Sequence, residues 1–308
     1  MTIVAYHAPG YAADIGAHVM PMQKFSLVRA AIEAAGLPYS FEAPEPATDE
    51  DLLAVHTPAY VRAIATGEPR ALAESQKFPW SPALAAAVRR TNGGCVAALR
   101  TALDRGVAAN LASGFHHAHG DHGEGFCTFN GLVVALERAR IEGRLRRALV
   151  VDLDLHYGNG TASLLATRPD FHNLSIYGNY YRGNTAIRDV SAERAADTAN
   201  CRSVPVPNGA RGADYVAIVE AELGPAFERA RPDAVLYQAG ADPYREDPYS
   251  PLDVGLGDLA ARDRLVFDAC KARGVPVMWV LAGGYTKDVA KIVEAHLGTA
   301  RACAAVFR

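Results

Sequence analysis

Asp152, Asp154 and His156 stand two apart in VVDLDLHYGNGT, directly behind the apolar run ALVV. On an extended strand that spacing puts all three side chains on one side. Isolated charges on a buried face are very costly, and a divalent cation resolves the conflict. Such an ion needs a third protein ligand, and Asp242, in QAGADP at the end of another apolar run, is the best placed. An Asp-His-Asp set leaves a coordination position open, as hydrolytic zinc sites do. Zn2+ suits it. Two carboxylates are hard ligands, so Fe(II) and Mn(II) also match the donor set. The alternative, a solvated DxDxH strand end, fits poorly with ALVV before it and GNGT after it.

Other polar groups follow other apolar runs. His116-His117 suits acid–base chemistry near neutral pH, and a carboxylate such as Asp152 could fix the tautomer of one ring. Gly283-Gly284-Tyr285 lets the backbone turn sharply and aim a hydroxyl. His119, Asp121 and His122 crowd the same segment as the His pair; they read as a polar rim rather than a second metal site. His7, His18, His56, His172 and His296 lack such neighbours and read as structural.

These residues need strands to deliver them. Short apolar runs at 2–6, 107–111, 148–155, 172–177, 234–239 and 276–282 predict strands. Ala/Leu/Arg-rich stretches at 82–104, 129–141, 214–231, 256–273 and 289–307 predict helices. Continuous runs such as VPVMWVLA are typical of strands buried on both faces. The alternation predicts an α/β fold with a mostly parallel sheet flanked by helices on both faces. No repeat or linker interrupts it, so residues 1–308 read as a single catalytic domain. Ligands of such sheets bind beyond the carboxyl ends of the strands, which is where the four polar clusters fall. Residues 113–127 and 178–199 read as long functional loops.

The bulk numbers exclude other classes. The chain has 308 residues, half of them apolar, and a net charge of −3. With a pI of about 6.4, mean hydropathy near zero and no basic stripe, nucleic acid is not an expected partner. No apolar run is long enough for a membrane span, and MTIVAYHAPG lacks the features of a signal peptide. Five scattered cysteines without a CxxC predict neither disulfides nor a thiolate metal site. The expected compartment is the cytoplasm.

SGFHHAHGDHGEGFCTFNG, VVDLDLHYGNGT, YQAGADP and LAGGY occur in that order, with HVMPMQK ahead of them. Together they resemble the histone deacetylase superfamily, of the arginase–deacetylase fold, and are most similar to compact bacterial members that resemble the class IV deacetylases. The resemblance implies that Asp154, His156 and Asp242 hold zinc. It implies that His117 is the general base, that His116 backed by Asp152 lies near the leaving group, and that Tyr285 donates to the substrate carbonyl. It also implies a narrow tunnel for an acylated lysine or small acylated amine, lined by Gly125, Phe126, Tyr181 and Gly284. A monovalent cation, K+, is implied near Asp152, Asp154, His156 and Ser175.

Three departures matter. Tyr157 stands where many members carry His, Asn159 where many carry Asp, and Arg182 where Pro is common. If Asn159 backs His117, that ring lacks a charged partner, and a neutral amide raises its basicity less. Two other readings compete: a binuclear Mn arginase-like ureohydrolase, which favours DxHxD over the DxDxH seen here, and an inactive acyl-lysine binding module. The full set of matched ligands, His117 and Tyr285 favours the deacylase.

Overall fold

The structure, a computed structural model, describes residues 1–178 and 198–308. Its strands are β1 (Ile3–Tyr6), β2 (Tyr39–Glu42), β3 (Val107–Ser113), β4 (Ala148–Asp152), β5 (Phe171–Gly178), β6 (Cys201–Val206), β7 (Ala234–Ala239) and β8 (Val277–Leu281). All pair in parallel, in one sheet of order β2-β1-β3-β8-β7-β4-β5-β6. The described helices longer than one turn or two are α5 (Pro82–Arg105), α6 (Gly131–Ile141), α8 (Gly212–Ala230), α9 (Leu256–Arg273) and α10 (Val289–Val306), with α1 (Lys24–Ala34). Shorter ones are α2 (Asp49–Leu53), α3 (Pro58–Thr66), α4 (Arg70–Ala73) and α7 (Asn159–Leu165). They fall into two packed groups. α5 packs with α6, and α6 with α2 and α7; α10 packs with α1 and α9, and α9 with α8. The predicted parallel sheet covered on both faces is therefore observed.

Every residue of β1, β3, β4, β7 and β8 is buried, which is why these strands read as unbroken apolar runs. β2 and β6 lie at the two edges and are partly exposed. Their sequences, YSFE and CRSVPV, carry polar residues and a proline that a central strand would not accommodate, so the sequence reading misses them.

β4 is also shorter than the apolar run 148–155 predicts. The strand ends at Asp152 rather than Leu155. Leu153 N–H still reaches the Gln238 carbonyl on β7, but side chains then take over from the ladder. Asp154 N–H donates to Asp152 Oδ1, Leu155 N–H to Asp242 Oδ1 and His156 N–H to Asp154 Oδ1. Asp154 and His156 thus come together through a carboxylate-capped turn, not through period-two alternation on one strand face.

Candidate active site

The four neighbouring central strands β3, β8, β7 and β4 deliver the predicted residues to one edge of the sheet. β3 leads into Gly114–His117, β8 into Gly283–Tyr285, β7 into Asp242, and β4 into Asp152–His156. Because all four strands are parallel, their carboxyl ends share that edge. The turns are also tied to one another. Ala241 N–H donates to the Gly283 carbonyl, and Gly283 N–H to Asp154 Oδ2 at 2.7 Å. A Cβ on Gly283 would stand 2.0 Å from Asp242 Oδ2, so only glycine fits there.

Asp154, His156 and Asp242 form one buried cluster whose ligand atoms all lie within 4.8 Å of one another. His156 Nδ1 lies 3.0 Å from Asp154 Oδ1 and 2.9 Å from Asp242 Oδ2. Donors bound at ordinary distances around a tetrahedral ion stand roughly 3.3 Å apart, so the arrangement fits a divalent cation. The electrostatics point the same way. Burial, then Asp154, pushes the Asp242 carboxyl up to about 7. His156 is raised to about 10, because its hydrogen bonds to the two carboxylates outweigh its burial. The carboxylate pair draws positive charge.

His116 and His117 lie beside this cluster. His116 Nδ1 donates to Asp152 Oδ2 at 2.7 Å, and its Nε2 is 3.8 Å from Asp154 Oδ1. Burial disfavours its charge, but Asp152 and Asp154 prevail and raise it to about 9. His117 Nδ1 faces Asn159 Oδ1 at 2.7 Å. Burial, reinforced by His116 and His156, lowers it to about 3. At neutral pH one ring carries a proton to give and the other a lone pair to accept one.

Tyr285 packs edge-on to His156, with 6.0 Å between ring centroids. Its backbone N–H donates to Asp247 Oδ2 at 2.7 Å, and Tyr249 N–H donates to Asp247 Oδ1. The buried Lys24 donates from Nζ to the Ala282 carbonyl at 2.6 Å, just before the Gly283–Tyr285 turn, and lies 5.9 Å over the Tyr285 ring. Burial lowers its ammonium to about 8. A cavity of ≈ 820 Å³ opens here, lined by His18, Met20, Tyr249 and Tyr285 among others.

Phe126 stacks on Phe78 with ring centroids 5.5 Å apart, and meets His18 edge-on at 4.7 Å. Phe115 and Phe126 both adopt positive φ, a strained conformation for bulky residues; Phe126 N–H is held by the Gln76 carbonyl. Gly125, also at positive φ, has no room for a Cβ, which would meet His117 Cδ2 at 2.5 Å. Gly284 makes the turn behind Tyr285. Ser175 is buried on β5 in register with Asp152. Tyr181 and Arg182 lie outside the described residues.

His119, His122 and Glu124 also place ligand atoms within 4.8 Å of one another. The two rings, however, stack nearly parallel, 8° apart at 4.5 Å. The in-plane lone pairs of parallel stacked rings do not converge on one ion.

Sequence reasoning missed several neighbours of the site. His18, read as structural, lines the cavity and packs on Phe126. Lys24, Asp247 and Tyr249 hold or flank Tyr285. The buried Arg262, ion-paired to Asp263, donates from Nη1 to the carbonyls of Leu153 and Gly240 and so clamps the turns that lead to Asp154 and Asp242. HVMPMQK, which ends at Lys24, belongs to the stretches that carry the family resemblance, but only the fold shows which backbone groups Lys24 and Arg262 hold.

A family model described as "Histone deacetylase domain" matches residues 18–300. An uncharacterized protein of Picosynechococcus sp. is 31% identical over 99% of both chains. The histone deacetylase-like amidohydrolase of Pseudomonas aeruginosa is 30% identical, over 79% of this chain and 65% of its own length. The chain therefore spans nearly all of the first relative and about two-thirds of the second. The crystal structure of acetylpolyamine aminohydrolase from Burkholderia pseudomallei superposes with a TM-score of 0.75 over 99% of each chain, at 23% identity, which speaks for the fold alone. With the matched motifs gathered at one sheet edge and the family model spanning almost the whole sequence, the chain belongs to the histone deacetylase domain family.

Proposed function

We propose that the chain, acting over residues 1–308 as one catalytic domain, is a metal-dependent amidohydrolase that removes an acyl group from an acyl-lysine, an acylated polyamine or another small acylated amine. The observation that carries this reading is the grouping around His156. The ring of a neutral His117 stands 5.9 Å from it and that of Tyr285 6.0 Å. The names of the amidohydrolase relative and of the aminohydrolase of like fold agree with an amide substrate.

Asp154, His156 and Asp242 would hold the ion, and we propose Zn2+, with Fe2+ as the alternative. When bound it supplies a Lewis acid for the amide carbonyl and lowers the pKa of a water. His117, with its proton fixed on Nδ1 by Asn159, takes the water proton on Nε2. The water oxygen bonds to the carbonyl carbon while the Tyr285 hydroxyl donates to the oxygen on which charge develops. His116, kept protonated by Asp152, gives its proton to the departing nitrogen as the C–N bond breaks. Products are a carboxylic acid and a free amine. Phe126, Gly125 and Gly284 would line the path of the acyl chain. K+ near Asp152, Asp154, His156 and Ser175 belongs to the same proposal, as hard oxygen donors suit such an ion.

The test is a panel of acyl-lysines and acylated polyamines of increasing acyl length, with both acid and amine quantified. Release of both in equal amounts, abolished by a chelator, is expected; a protein inert on the whole panel overturns the reading.

A further inference from the structure

Asn159 replaces the charged partner of His117 with a neutral amide, yet a carboxylate lies one bond further out. Asn159 Nδ2 donates to Glu124 Oε2 at 3.0 Å, and Gly160 N–H donates to Asn159 Oδ1 at 3.0 Å. A carboxylate only accepts and a backbone N–H only donates. Both contacts therefore demand the same orientation of the amide: nitrogen toward Glu124, oxygen toward Gly160 and His117. With Oδ1 facing His117 Nδ1, that ring nitrogen must carry the proton, and Nε2 keeps the lone pair. Flipping the amide would set Oδ1 against the Glu124 carboxylate and an NH2 group against His117 Nδ1.

Glu124 has a further close polar neighbour. Its Oε2 lies 3.3 Å from His119 Nε2, and His119 Nδ1 meets Ser163 Oγ at 2.9 Å. Its carboxyl is depressed to about 2, chiefly by His119 and against the pull of partial burial. The side chain is 41% exposed, so its role is not that of a core residue.

We propose that Glu124 is a positioning residue for the reaction: through the Asn159 amide it fixes the tautomer of His117 and restores, at one remove, the negative charge that Asn159 does not carry. The inference rests on the deacylase reading with His117 as base. It also gives the polar segment around His119 a purpose that a solvated rim lacks.

The test uses the full-length, zinc-loaded protein and an acetyl-lysine fluorogenic peptide, with kcat and KM measured separately. Glu124→Ala should lower kcat about ten- to hundredfold, the usual cost of removing an outer-shell partner, with KM nearly unchanged. Glu124→Gln should restore part of it, because its side-chain oxygen still accepts from Asn159 and keeps the amide oriented while the negative charge stays lost. Asn159→Asp should be impaired in the native background, where two carboxylates would face each other, and should recover when combined with Glu124→Gln. This pair of variants carries the test if Glu124→Ala proves unstable. An unchanged kcat in Glu124→Ala, a loss confined to KM, or no coupling between positions 124 and 159 overturns the inference alone, provided that wild type turns over and His117→Ala does not. A wild-type protein inert on this peptide and on the whole panel of acyl-lysines and acylated polyamines overturns the deacylase reading and this inference with it.

Discussion

His116 and His117 stand with ring centroids 4.1 Å apart and are driven to opposite protonation states. Asp152 and Asp154 hold the proton on His116. Burial and the two neighbouring imidazoles keep it off His117. Two adjacent and chemically identical side chains thereby acquire opposite proton affinities from their surroundings, which is what the proposed acid and base roles require.

His117→Ala should keep its metal and lose turnover by about a hundred- to ten-thousandfold, the range for general acid–base catalysis. Steady-state kinetics alongside elemental analysis checks this. A near-wild-type rate would mean that another group is the base.

His116→Ala should discriminate between leaving groups. An alkylamine needs a proton to depart, whereas an arylamine such as aminocoumarin needs it far less. The variant should therefore lose more activity on acetyl-lysine itself than on an acetylated arylamine. Equal losses on both would remove His116 from the acid step.

Tyr285→Phe should lower kcat about a hundred- to thousandfold, the range for removing one oxyanion donor. Thermal stability should change little, since the backbone contact of Tyr285 with Asp247 is retained. A loss seen only in KM would mean that the hydroxyl binds substrate without favouring the transition state.

His56 makes acid stability testable apart from catalysis. Its Nδ1–H donates to the His119 carbonyl, and its Nε2 accepts from Asn130 N–H at 3.1 Å. Burial lowers it from 6.5 to about 4. Between these two values the unfolded chain binds the proton and the folded one does not, so stability falls as pH drops through that window. The full contribution is on the order of 3 kcal/mol. Denaturant midpoints measured from pH 7 to pH 4 should show the decline, and His56→Gln should make it shallower, the remainder coming from other buried histidines such as His7. An unchanged slope in that variant would assign the acid sensitivity elsewhere.

The central strands were legible because burial on both faces writes itself as unbroken apolar runs. The residues following them were legible because a parallel sheet brings its carboxyl ends together. Asp154 and Asp242 emerge from that logic even though the strand carrying the first stops at Asp152. The edges were not legible, since YSFE and CRSVPV face solvent in part. Nor were the supports of the site. Lys24 reaches the Ala282 carbonyl, Arg262 the carbonyls of Leu153 and Gly240, and Glu124 the amide of Asn159. Such contacts depend on tertiary approach, not on residue spacing, so they leave no periodic trace.

The most direct measurement of the central claim is a zinc titration of metal-free protein, following bound metal and amide hydrolysis together. Activity should rise with zinc and saturate at about one equivalent per chain, the number a single three-ligand site accepts, while folded Asp154→Ala binds none and stays inactive. Turnover that survives complete metal removal, saturation at two equivalents, or full zinc occupancy in Asp154→Ala would contradict the assignment of Asp154, His156 and Asp242 as the one catalytic metal site.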